Sequence, residues 1–186
     1  MTLEGPCRVL LVGMMGSGKS TIGRVLADAT GWPYADNDEL VVRATGGTPR
    51  TLLADHGEAA MRRAESEALA AGIALPPPAI VGVAAGVIRE AVDRETLRGG
   101  GIVVWLRANA DELAARAAGA EHRPWLDTDP RAWITAALLE RGPLYASVAD
   151  HVVDTDGAAL DETAAGLVEW LLAETACAAA PGIIRR

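Results

Sequence analysis

The stretch Gly13-Met14-Met15-Gly16-Ser17-Gly18-Lys19-Ser20 decides how this chain folds. It satisfies G-x-x-x-x-G-K-[ST] and follows directly on the apolar run Val9-Leu10-Leu11-Val12. A short, unbroken apolar run cut off by glycine fits a strand buried on both faces of a parallel sheet. Beyond the loop, Ile22, Val25, Leu26 and Ala29 recur at helical spacing, and Gly31 supplies a stop, which predicts a helix over 20–30. In that strand–loop–helix setting the glycines let backbone N–H groups curl around phosphate oxygens, and the helix amino terminus adds positive potential. Lys19 reaches the outer phosphates and the Ser20 hydroxyl can ligate magnesium. Gly13, Gly16, Ser17, Gly18, Lys19, Ser20 and Thr21 are therefore the candidate nucleotide-binding residues; the bland alternative is a glycine-rich turn with no ligand. Lys19 is the only Lys among 17 cationic side chains, and a compact, flexible ammonium suits a phosphate.

Working outward, Trp32-Pro33-Tyr34-Ala35 reads as a short strand that delivers Asp36, Asn37 and Asp38 to its carboxyl end, where α/β proteins bind ligands. Helices are expected over 39–44 and from Thr48 onward, pausing at Gly57 before 58–71, and these form a side lobe. After the stiff Pro76-Pro77-Pro78, a second buried strand over 79–83 ends in Ala84-Ala85-Gly86. Further strands are predicted over 102–106 and 151–153, with helices over 111–118 and 131–141. No repeat or long linker divides the chain, which predicts one domain over 1–175 and a flexible tail over 176–186.

Composition narrows the partners. The chain has 186 residues, half of them apolar and 23% charged, enough for one compact core. With 17 basic and 25 acidic side chains the formal net charge is -8, which repels nucleic acid and anionic membrane surfaces. No apolar run approaches the roughly 18 residues needed to span a bilayer. The two cysteines, Cys7 and Cys177, have no nearby Cys or His and are read as reduced structural thiols, which with the absence of a leader pattern predicts a cytoplasmic protein.

The phosphate loop, the Asp36-Asn37-Asp38 triplet, Arg62-Arg63-Ala64-Glu65, Arg123-Pro124 and Arg141-Gly142-Pro143-Leu144-Tyr145 together resemble the shikimate kinases in order and spacing over about residues 8–156. The resemblance implies a three-layer P-loop kinase fold of the α/β class: a five-stranded parallel sheet flanked by helices, a substrate lobe at about 38–72 and a lid at about 118–130. It implies ATP and Mg2+ as cofactors, a place in aromatic amino acid biosynthesis, and a monomer acting on a small-molecule acceptor. It further implies that Asp36 helps hold magnesium and that Asp38 receives the acceptor hydroxyl. A carboxylate there can orient an alcohol and accept its proton; alternatively Asp36 caps the following helix. Arg62 and Arg141 match the family's carboxylate-binding arginines, a task that suits a guanidinium fork. The plainer readings are a helical ion pair of Arg62 with Glu58 or Glu65 and a helix-end cation at Arg141. Arg123 matches the lid arginine that reaches the transferring phosphate, and Arg116 a position that stacks on adenine.

The sequence departs from the family pattern after the second buried strand. Shikimate kinases carry three glycines where this chain has Ala84, Ala85 and Gly86, the remaining candidate acceptor contacts. If either alanine required positive φ, it would cost roughly 1–2 kcal/mol; even with negative φ the methyl groups narrow the pocket. No Asp directly follows Val83, so the magnesium duty falls on Ser20 and Asp36. The expected reaction is ATP-dependent phosphorylation of a hydroxyl on a small carboxylated polyol, with shikimate to shikimate 3-phosphate as the leading case. The alanines leave open a kinase for gluconate, another sugar acid or a cyclitol, or a nucleotide-binding regulator without catalysis.

Overall fold

The computed structural model describes residues 7–117 and 129–174. Five strands form one parallel sheet in the order β2-β3-β1-β4-β5: β1 (Arg8–Val12), β2 (Tyr34–Asp36), β3 (Ala79–Gly82), β4 (Ile102–Arg107) and β5 (His151–Asp154). All of β1 is buried because it is central and feeds two cores. Leu10 and Val12 face a cluster with Leu69, Leu97, Ile134 and Tyr145. Val9 and Leu11 face the other side, against Ile22, Leu26, Leu167 and Leu171. A strand covered on both faces loses the polar–apolar alternation of a half-exposed one, which is why the run was readable as buried.

The crossovers are helical, α1 (Lys19–Thr30), α2 (Asn37–Thr45), α3 (Pro49–Ile73), α4 (Ala91–Gly100), α5 (Ala110–Ala117) and α6 (Pro130–Ala146), and α7 (Leu160–Glu174) follows the last strand. Gly31 closes α1 in the left-handed conformation, φ 72°, as expected. The pause at Gly57 is a kink inside α3, where φ 80° and ψ 174° leave the helical region. Helix α2 packs on α3 around a small cluster of its own, Val41, Ala64 and Ala68.

Three elements differ from the reading of the sequence. Helix α6 runs past Gly142-Pro143 to Ala146; its last turn is tied to the sheet by Tyr145, 1% exposed and stacked on Trp105 at 5.7 Å. Helices α4 and α7 had no counterpart there. Helix α7 covers the face that β1 and β4 present through Val9, Leu11 and Val104, using Ala164, Leu167 and Leu171. Cys7 is disulfide-bonded, which corrects the expectation of two reduced thiols; Cys177 lies outside the described residues. No helix among the described residues is long and apolar enough to cross a membrane.

Candidate active site

Parallel pairing brings the carboxyl ends of β1, β2 and β3 to one edge, with Leu11 and Asp36 both in register with Gly82. A cleft of about 650 Å3 opens there. Its floor is the phosphate loop. Gly18, φ 91°, precedes the first residue of α1, which has no side-chain cap and no acidic residue in its first turn. Its leading N–H groups are thus left to an anion, which the helix dipole also favours. Lys19 Nζ donates to the carbonyls of Gly13 and Met14, both at 2.9 Å, so the ammonium lies folded over the loop. Gly16, Gly18, Lys19, Ser20 and Thr21 line the cleft. Gly13 and Ser17 are buried beneath it and shape the loop without lining the cleft.

At the end of β2, Asp36 accepts three hydrogen bonds. Ser20 Oγ and the Tyr34 hydroxyl both donate to Oδ2 at 2.7 Å, and the Asp38 backbone N–H donates to Oδ1 at 3.0 Å. The last of these makes Asp36 the cap of α2, so the capping and chemical readings coexist in one side chain. Burial, followed by the charge of Asp36, pushes the Tyr34 phenol far up, which keeps it a donor. Asp38 follows in the first turn of α2 and lines the cleft. Ser20 and Asp36 suit magnesium, which keeps much of its water and takes one or two protein ligands beside substrate phosphates. Among the described residues no cluster of three or more His, Cys, Asp or Glu could cage a metal by itself.

Opposite the phosphate loop lie two arginines. Arg62 donates to Glu65 Oε2 at 2.7 Å and to Glu58 Oε1 at 3.3 Å, so the helical pairs anticipated for it exist while it also lines the cleft. Arg89 joins Glu58 at 3.3 Å to Glu140 at 3.0 Å, fastening α3 to α6 beside both cations. Arg141 is different: it is 5% exposed, its Nε has no hydrogen-bond partner, and its guanidinium lies over Trp133 at 5.4 Å. Among the described residues it has neither an ion pair nor a hydrogen bond. Burial, and then the nearby charges of Arg62 and Arg89, pull its pKa down. A buried cation in that condition favours an anion arriving from the cleft.

Between the arginines and β3 runs Ala84-Ala85-Gly86. Among the described residues none other than glycine has positive φ, so both alanines sit without backbone strain. Gly86 has an ordinary φ of -85°, yet a Cβ there would overlap the Arg62 guanidinium and come within 3.0 Å of Glu65 Oε2. Space, not backbone conformation, fixes that glycine. The Tyr145 hydroxyl donates to the Ala85 carbonyl at 2.8 Å and pins the segment from below.

Arg116 also borders the cleft, but its guanidinium is anchored on Thr155, donating to the carbonyl at 2.5 Å and to Oγ1 at 3.1 Å. Arg123 lies outside the described residues. The structure therefore gathers Asp36, Asp38, Arg62, Ala84, Ala85, Gly86, Arg116 and Arg141 around one cavity with the phosphate loop. The reading of the sequence missed Tyr34 and Trp133. Tyr34 carried a usable signal, since it precedes Asp36 by two residues on a strand and so shares its face. Trp133 carried none.

Comparison with known proteins follows the same geometry. The family model for shikimate kinase matches residues 15–172. The shikimate kinase of Symbiobacterium thermophilum is 36% identical over 166 residues, covering 88% of this chain and 95% of its own length. That of Nitratidesulfovibrio vulgaris is 42% identical over 154 residues, 81% of this chain and 87% of its own. The structure of shikimate kinase from Acinetobacter baumannii in complex with shikimate superposes with a TM-score of 0.85 at 31% identity, covering 90% of this chain and 93% of that one.

Proposed function

The chain belongs to the shikimate kinase family, and on that footing we propose that it transfers the terminal phosphoryl group of ATP to a hydroxyl of shikimate, giving shikimate 3-phosphate. It is an enzyme that phosphorylates an alcohol, with ATP and Mg2+ as cofactors, and it serves aromatic amino acid biosynthesis. Lys19 swings from the loop carbonyls to the outer phosphates, and the uncapped start of α1 holds the remaining phosphate oxygens. Ser20 and Asp36 hold magnesium, which neutralises developing charge when bound. Asp38 orients the acceptor hydroxyl and takes its proton as the new P–O bond forms. Arg62 and Arg141 grip the acceptor carboxylate, while Ala84, Ala85 and Gly86 shape the wall beside it. Arg123, outside the described residues, keeps the role the resemblance implies, reaching the transferring phosphate. Arg116 borders the nucleotide end. The acceptor lobe spans about 38–72 within a single domain over 1–175, followed by the tail over 176–186.

The observation that carries this reading is Arg141: a buried guanidinium without an anionic partner among the described residues, facing the same cavity as a phosphate loop. That pairing calls for a substrate with a carboxylate and a hydroxyl within one cavity's span. The unstrained alanines give no ground for preferring a sugar acid or a cyclitol, and the presence of Asp38, Arg62 and Arg141 together speaks against a silent regulator. ADP release measured across shikimate, gluconate and a cyclitol should show turnover with shikimate alone. A preference for either other acceptor, or no release with any, would overturn the proposal. The same reading makes it a monomer that works in the cytoplasm, where ATP is supplied.

A further inference from the structure

We infer that Tyr34 is a positioning residue for Asp36, its hydroxyl holding the carboxylate in the orientation that faces the metal. The inference rests on the assignment of Asp36 to the magnesium side of the site. Of the three donors to Asp36, two have other duties. The Ser20 oxygen is the one that would ligate the metal, and the Asp38 N–H belongs to the first turn of the helix that carries the acceptor-side carboxylate. Tyr34, at 2.7 Å from Oδ2 and in hydrogen-bond reach of Ser20 as well, is the donor that neither ligates the metal nor opens a helix.

The phenol is seated in space cleared by two elements. A Cβ at Gly23 of α1 would overlap its ring, and a Cβ at Gly82 at the end of β3 would overlap its hydroxyl. Arg24 closes the outer side, 5.9 Å from the ring centroid and paired with Glu39 at 3.1 Å. Because Asp36 is in register with Gly82, the Tyr34 hydroxyl is brought to the tip of β3, where Gly82 and Val83 offer no polar side chain. A hydroxyl from β2 thus supplies the polar contact that β3 lacks. A hydroxyl that fixes a carboxylate orients it toward a metal and its water, and losing such a contact typically weakens metal binding 10- to 100-fold.

The test is Tyr34→Phe, which keeps the ring and removes the donor. Mn2+ binding in the presence of ADP, counted from the paramagnetic resonance of free Mn2+, should weaken about tenfold, with kcat reduced and the KM for shikimate unchanged. Asp36→Asn is the control and should weaken Mn2+ binding at least as much. If Asp36→Asn weakens it and Tyr34→Phe does not, the positioning role is wrong while the metal assignment stands. If Asp36→Asn changes nothing, the assignment fails and this inference with it. A Tyr34→Phe protein that melts lower but binds Mn2+ normally would reveal a packing role only and would also overturn it.

Discussion

Replacing Arg62 or Arg141, the two arginines proposed to grip the acceptor carboxylate, by methionine should damage the same function while moving stability in opposite directions. Arg141 is 5% exposed and has no hydrogen-bond or ion-pair partner among the described residues, so the free enzyme carries its desolvation uncompensated apart from the Trp133 face. Methionine keeps the length and removes the charge. The unliganded Arg141→Met protein should melt at the wild-type temperature or about 2–4 °C higher, the shift that about 1 kcal/mol produces in a domain of this size. Arg62 is bound to Glu65, whose residue is 7% exposed, at 2.7 Å. Arg62→Met strands that carboxylate; breaking a buried pair costs about 3 kcal/mol, or about 6–12 °C. Both variants lose a charge-assisted bond to the acceptor, worth about 1.5–3 kcal/mol, so the KM for shikimate should rise about 10- to 150-fold in each while the KM for ATP holds. Differential scanning calorimetry with and without shikimate, beside steady-state kinetics, reads all of this. Shikimate at a concentration that saturates the wild type should raise its melting temperature and shift that of Arg141→Met clearly less. An Arg141→Met enzyme that is destabilised, yet still binds shikimate normally, would refute the idea that the buried cation waits for the acceptor.

Four further outcomes are expected. Lys19→Ala and Asp38→Asn should each abolish measurable turnover, Asp38→Asn by about 10²-fold or more, with unchanged circular dichroism; full activity in either removes the role given to it. Gly86→Ala places a methyl group on the Arg62 guanidinium and should raise the KM for shikimate with nucleotide binding intact; equal effects on both substrates would contradict the steric account. Tyr145→Phe leaves the Ala85 carbonyl without its 2.8 Å donor and should cost about 1–3 kcal/mol in denaturant unfolding. His151, stacked on Trp170 at 3.9 Å, has its pKa lowered by burial. The unfolded chain therefore binds the extra proton more readily, and stability should fall as pH drops below about 6.5, its ordinary value. His151→Phe should flatten that part of the melting-temperature profile, and identical slopes in both proteins would refute the assignment.

What the sequence made legible was contiguous. Val9–Val12, the glycines of the loop and Lys19 lie within a dozen residues, and their pattern carries its own geometry. Gly31 and Gly57 were readable for the same reason, since each acts on the backbone at its own position. Relations between distant elements were not readable. Nothing near Gly86 announces that Arg62, twenty-four positions earlier, would occupy the place of its side chain. The extension of α6 past Pro143 depends on Tyr145 meeting Trp105 on a strand about forty residues away, and local helix signals weigh against it. Helix α7 escaped notice because its Ala- and Leu-rich stretch has an apolar face only in relation to β1 and β4.

The same distinction separates Ala84 and Ala85 from Gly86. A glycine can be required by its own dihedral angles or by a neighbour's atoms, and the two requirements leave different freedom. At Ala84 and Ala85 φ is not positive, so neither backbone nor rotamer excludes a methyl group. At Gly86 φ is equally ordinary, but Arg62 and Glu65 fill the space where a Cβ would stand. Of the three positions, only the one pressed against Arg62 is a glycine. The constraint on this segment therefore follows the placement of the Arg62 guanidinium, which leaves room for a methyl group at the first two positions and crowds one at the third.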